Sequence, residues 1–177
     1  MSSPNLYWAV PGYAYGRIFA SLAKKTSECY TEKNGTESGI MDLNNFRIFH
    51  STLIEHYQFI EAHLEGIYAA VSGKSFADGL REVERDSLGG VVREIKELER
   101  EKKILIFTGE EYDRLREIID RRNYWCHCCY FEMAFDRQTG GPAKVRDVQA
   151  LFADLKTAEQ WREQLFEKKL SLMKPKD

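Results

Sequence analysis

The chain has few of the features that would assign it quickly to a class. Its 177 residues hold only four prolines, and no apolar run approaches the roughly 18 residues that a membrane span requires. The N-terminus has no basic start followed by an apolar core, so a soluble, cytoplasmic protein is expected. A net charge of -2 argues against a general nucleic-acid coat, although it leaves room for an enzyme with a local cationic cleft. Four cysteines make no disulfide framework, because Cys126, Cys128 and Cys129 crowd into one helical turn and point in different directions. No Glu is followed by His three residues later, which removes a ferritin-like di-metal centre. Ile104-Leu105-Ile106-Phe107 is the one strand-like run in the body, and it has no partner strand. It reads as a buried linker or a helix continuation.

What remains is helical periodicity. Phe46, Phe49, Leu53, Tyr57, Ile60, Leu64, Ile67 and Val71 recur in threes and fours, with Asp42 or Asn44 to cap the start and Gly73 to end it. His50, His56 and His63 on this helix read as ordinary surface or satisfied histidines. A helical turn is expected near Phe76 to Arg81. A second core helix starts at Asp86 or Ser87 and turns Leu88, Val91, Val92, Ile95 and Leu98 inward. Its Gly89-Gly90 pair reads as a close helix contact, and Glu94, Glu97, Glu99, Arg100, Glu101, Lys102 and Lys103 read as a solvated face. Thr108 caps a third helix, from about Glu110 to Asp136. A fourth runs from about Lys144 to Met173, with Val148, Leu151, Phe152, Leu155, Ala158, Trp161 and Leu165 inward. These make an all-α, up-and-down four-helix bundle over residues 42–177. Residues 1–41, rich in Tyr and Trp and broken by Pro and Gly, form an ordered aromatic arm, with one short helix at about Tyr15 to Glu28.

The third helix carries the chemistry. Tyr112, Leu115, Ile119, Cys126, Cys129 and Met133 recur at three- and four-residue steps, with Ile118 and Trp125 widening the stripe. One place in that pattern, 122, holds Arg instead of a hydrophobe. A guanidinium stays charged, so it must either meet an internal carboxylate or open the stripe into a cleft that takes an anion. His127 lies five residues on, about 140° around an α-helix from Arg122. Asn123 shares a face with His127, and Asp120 and Tyr130 extend that line. A fixed cation, an amide, an imidazole and a phenol together suit a phosphodiester.

Arg122-Asn123-Tyr124-Trp125-Cys126-His127, late in a helical bundle and followed by Tyr130 and Phe131, resembles the Arg-Asn-x-x-x-His signature of HEPN domains (higher eukaryotes and prokaryotes nucleotide-binding). The approach is similar too, with Leu88-Gly89-Gly90-Val91-Val92 at a helix start and Glu110-Glu111 opening the motif helix. The likeness covers roughly Asp42 to the C-terminus. It implies a four-helix fold and a metal-independent endoribonuclease with no cofactor. In that reading Arg122, His127 and Asn123 are catalytic, while Arg121, Tyr130 and Asp120 hold the RNA. The 2′-hydroxyl attacks, leaving a 2′,3′-cyclic phosphate, and DNA is not cut. The resemblance further implies a homodimer through the 110–136 helix, and a toxin or a defence or stress effector paired with a small antitoxin or a nucleotidyltransferase. One branch of the family has a modified Tyr two residues after the His. Here that place is Cys129, with Tyr130 one further. The alternatives are a non-catalytic dimeric bundle that binds nucleotide or RNA, and a protein that docks a partner subunit. Zinc on Cys126, His127 and Cys129 is not expected, since one helix does not gather them on one side.

Overall fold

A computed structural model describes residues 43–130 and 148–173. These residues form five α-helices and one π turn, with no strand among them. The helices are α1 (Leu43–Val71), α2 (Phe76–Val83), α3 (Leu88–Lys102), α4 (Gly109–Asn123) and α5 (Val148–Met173), and the π turn (Tyr124–Cys128) follows α4 directly. None is long and apolar enough to cross a membrane. The aromatic arm, the 41/42 boundary, Met133, and the expected helix ends at Asp136 and Lys144 lie outside the described residues.

The long first helix is the hub, packing against α5, α2, α3 and the π turn. Its residues 46, 50, 53, 57, 60, 64 and 67 alternate four- and three-residue steps, and Phe46, Leu53, Ile60, Leu64 and Ile67 have no exposed surface. Burying a Leu, Ile or Phe in this way contributes about 1.5–3 kcal/mol each, so this face outweighs local helix propensity. α5 answers with Leu151, Leu155, Ala158, Trp161 and Leu165, all buried. Gly73 stops α1 at φ +81°, and Lys102 Nζ caps the exposed carbonyls of Val71 and Ser72 at 2.7 Å each. Ser87 caps α3 through the Gly90 N–H, as expected.

Three expectations change. Glu99 does not belong to a solvated face. It is 9% exposed and its carboxylate accepts the Ile106 N–H at 2.5 Å, the Phe107 N–H at 2.7 Å and the Tyr112 hydroxyl at 2.8 Å. A buried carboxylate is tolerable only with such donors. The Ile104–Phe107 run divides: Ile106 and Phe107 are buried, whereas Ile104 and Leu105 face solvent. Lys168 on α5 completes the anchor, donating to the Ile106 carbonyl and to Glu111 at 2.7 Å each. The link is thus held by polar bonds at buried backbone, which neither an apolar linker nor a continuing helix would need. The third change concerns the glycines. A Cβ on Gly89 would meet only Ile119 methyls at 3.7 Å, an ordinary contact, whereas one on Gly79 would strike the Ala69 backbone at 2.8 Å. The close helix approach is between α1 and α2.

Thr108 and Glu111 then start α4 with a reciprocal capping box, Thr108 Oγ1 taking the Glu111 N–H at 3.2 Å and Glu111 taking the Thr108 N–H at 2.7 Å. The start of the motif helix is therefore fixed from both sides.

Two predictions follow from the packing. Gly79→Ala should cost about 1–3 kcal/mol, and Gly89→Ala should be neutral or add up to about 0.5 kcal/mol. Urea unfolding measures both, and equal effects would contradict the packing described. The second concerns His56 and His63 in the seam of α1 and α5. Burial pushes both imidazoles down to about 4, helped at His56 by Arg162 and at His63 by Lys169 and Arg162. The unfolded chain then takes up protons first, so stability is complete above about pH 6.5 and falls as pH drops towards 4. Tm should decline by on the order of 5 °C between pH 7 and 5. His56→Gln and His63→Gln should flatten the decline, and a level profile in the wild type would refute the assignment.

Candidate functional site at the π turn

α4 ends where two adjacent arginines meet different fates. Arg121 is locked: its guanidinium lies 2.5 Å from Asp154 Oδ2 on α5, with Nε donating to the same oxygen at 2.7 Å. Trp125 Nε1 donates there as well, at 2.6 Å. The cation sits over the Tyr124 and Trp125 rings at 5.4 and 5.8 Å, and its bond to Asp154 raises the guanidinium pKa further. Beneath this group Tyr57 is buried, and burial followed by the Asp154 charge raises its phenol pKa well above the usual value.

Arg122 falls on the inner stripe as the spacing predicts, between Ile118 and Trp125, and is half-buried with 25% of its side chain exposed. Among the described residues its nearest carboxylate oxygen is Glu61 Oε2, 3.9 Å away, a separation too long for a hydrogen bond. Its Nη1 donates to Asn123 Oδ1 at 3.3 Å. Arg122 is thus near an internal acid without being fixed by it.

The expected rotation of His127 relative to Arg122 has to be revised. Across Tyr124–Cys128 the backbone bonds run five residues apart, the Cys129 N–H reaching the Tyr124 carbonyl. A π turn rotates less per residue than an α-helix, so the five-residue step from Arg122 to His127 comes nearer to one whole turn, and the offset of about 140° shrinks. No hydrogen bond joins His127 to Arg122 or Asn123 among the described residues. Asp120, Asn123, Cys126, His127 and Cys128 are exposed, and Tyr130 is 44% exposed. Cys126, expected to face inward, faces out, because the buried line runs through Leu115, Ile118, Trp125 and Cys129 instead.

Trp125, 3% exposed, is tethered at both ends. Its indole is bonded to Asp154, and its carbonyl accepts the His50 Nε2–H at 2.9 Å and the Cys129 thiol at 2.9 Å. Because that carbonyl can only accept, His50 carries its proton on Nε2, and Nδ1 is left facing the Tyr130 hydroxyl at 3.5 Å. Phe46 stacks on His50 at 5.5 Å, and Tyr130 meets both rings edge-on. Burial pushes the Cys129 thiol up to about 11. Among the described residues no three His, Cys, Asp or Glu side chains gather as a metal ion would need.

Sequence reasoning read His50 as an ordinary histidine and did not single out Glu61 or Asp154. His50 had a signal, since it occupies a place in the four-three series of α1. Glu61 and Asp154 had none, being carboxylates on helices distant in sequence. The chain matches no protein-family model, no curated protein and no solved structure.

The two ion pairs should separate in double-mutant cycles. Arg121→Ala with Asp154→Ala should give a coupling of about 1–3 kcal/mol, and Arg122→Ala with Glu61→Ala less than about 0.5 kcal/mol, measured by urea denaturation. A stronger coupling in the second pair would make Arg122 a structural cation.

Proposed function

We propose that the chain is a metal-independent endoribonuclease of the HEPN type, an up-and-down four-helix bundle that works as a homodimer through the motif helix. The observation that carries this reading is the contrast between neighbouring arginines. Arg121 is neutralised within hydrogen-bond range by Asp154, while Arg122 sits half-buried with the nearest carboxylate among the described residues, that of Glu61, at 3.9 Å. A fixed cation partly withdrawn from water interacts more strongly with a phosphate than an exposed one does. Support comes also from the exposed Asn123 bonded to it, from the exposed His127 five residues on, and from the π turn between them, a distortion that recurs at functional sites.

In the reaction, His127 takes the proton from a ribose 2′-hydroxyl or protonates the departing 5′-oxygen. The bond from O2′ to phosphorus forms as that from phosphorus to O5′ breaks. Arg122 stabilises the extra negative charge on the phosphoryl oxygens, and Asn123, already bonded to Arg122, orients the phosphate. Products are a 2′,3′-cyclic phosphate and a 5′-hydroxyl. Tyr130 and Asp120 flank the RNA path, whereas Arg121 serves by holding the helix to α5. A toxin or defence effector, restrained by an antitoxin or a nucleotidyltransferase, is the corresponding role. The approach of Glu61 to Arg122 favours a second reading, in which the bundle binds nucleotide or RNA, or docks a partner, without cleavage.

Labelled RNA incubated with the purified protein in EDTA should be cut, and the matching DNA left intact. Arg122→Ala and His127→Ala should each lower the rate by about 100-fold or more with the circular dichroism unchanged. RNA binding lost in Arg122→Ala and kept in His127→Ala, with no cutting by the wild type, would select the second reading.

A further inference from the structure

Outside the proposed catalytic set, a histidine of α1, His50, hydrogen-bonds the π turn. In an α-helix the Trp125 carbonyl would accept the Cys129 N–H. Here that N–H bonds to the Tyr124 carbonyl, so the Trp125 oxygen no longer takes the Cys129 N–H and is open to a side-chain donor. His50 Nε2–H supplies it at 2.9 Å, from a ring 9% exposed and packed among Phe46, Trp125 and Tyr130. The Cys129 thiol also reaches this oxygen, but a thiol is a weak donor, and its sulfur lies 3.4 Å from the same imidazole.

We infer that His50 is a positioning residue: its Nε2–H holds the Trp125 carbonyl, keeps Tyr124–Cys128 in the π form, and thereby sets the direction of the His127 imidazole two residues on. The inference rests on the endoribonuclease reading only for its effect on catalysis; the structural part stands without it. Removing the imidazole donor leaves the buried Trp125 carbonyl with the weaker thiol donor of Cys129, which favours return of the Cys129 N–H and of ordinary α-helical rotation. His127 is then carried away from Arg122. Tethering at Asp154 fixes the indole alone and does not replace the lost bond.

The test uses the full chain and three variants. His50→Gln places an amide N–H at nearly the reach of Nε2, His50→Leu keeps the bulk without a donor, and His50→Asn has a donor too short to reach. Long-range ¹⁵N–¹H spectra should find the wild-type His50 as the Nε2–H tautomer, and a different tautomer overturns the proposal. The His127 ring resonances should move in His50→Leu and return in His50→Gln. If His50→Leu does not fold, His50→Asn takes its place. Unmoved His127 signals, or no recovery with Gln, overturn the proposal whether or not RNA is cut. Where the wild type cleaves RNA, kcat should fall roughly 10- to 100-fold in His50→Leu with KM within about 2-fold, and recover in His50→Gln. Absence of cleavage by the wild type bears on the endoribonuclease reading alone, since the resonances still decide the role of His50.

Discussion

A single carboxylate oxygen, Asp154 Oδ2, accepts hydrogen bonds from the Arg121 guanidinium and the Trp125 indole at once. Desolvating an aspartate that is 16% exposed is costly unless donors converge on it, and here they come from one stretch of one helix. The energy gained is modest, but the geometry it imposes is strict. With Arg121 and Trp125 both directed at α5, the rotation of the helix end is settled. Arg122 must then lie on the inner stripe and Asn123 in solvent. The difference between a structural arginine and an available one is a difference of a single residue in register.

The other end of the same helix is fixed by different means to the same effect. Glu99 gathers two backbone N–H groups and a phenol, Lys168 bonds a carbonyl and Glu111, and the Thr108 capping box closes the first turn. Between these anchors α4 offers few buried residues of its own, Leu115 and Ile118 chief among them. Polar contacts therefore orient a helix whose apolar face is too narrow to do so alone. Held in this way at its ends, the helix leaves Asn123 and His127 on an outer face free of packing.

Much of the architecture was legible in the residue order. The series along α1, the stops and caps at Gly73, Ser87 and Thr108, and the inward residues of α5 all follow from periodicity and backbone chemistry, which act locally. What escaped depends on partners remote in sequence. Glu99 stands in a run of Glu, Arg and Lys that looks uniformly solvated, and only the return of the chain at Ile106 gives it donors to bind. The period puts Arg122 on the stripe and Arg121 off it, but only the position of Asp154 on a distant helix shows that Arg121 is the one firmly paired. The π turn was invisible because its cause, a displaced carbonyl bond met by His50 from another helix, has no sequence pattern. The place of Arg122 within the stripe was foreseen, since an interrupted hydrophobic period is itself a local signal.

The outward turn of Cys126 has a practical consequence. Cys126 and Cys128 stand in solvent, one residue either side of His127, whereas Cys129 is buried with its thiol bonded to the Trp125 carbonyl. An alkylating fluorophore or spin label at neutral pH therefore meets the outer pair and finds the inner sulfur shielded. Probes attached there would flank the imidazole without disturbing the bonds that shape the turn, giving a direct optical or magnetic gauge of what approaches it.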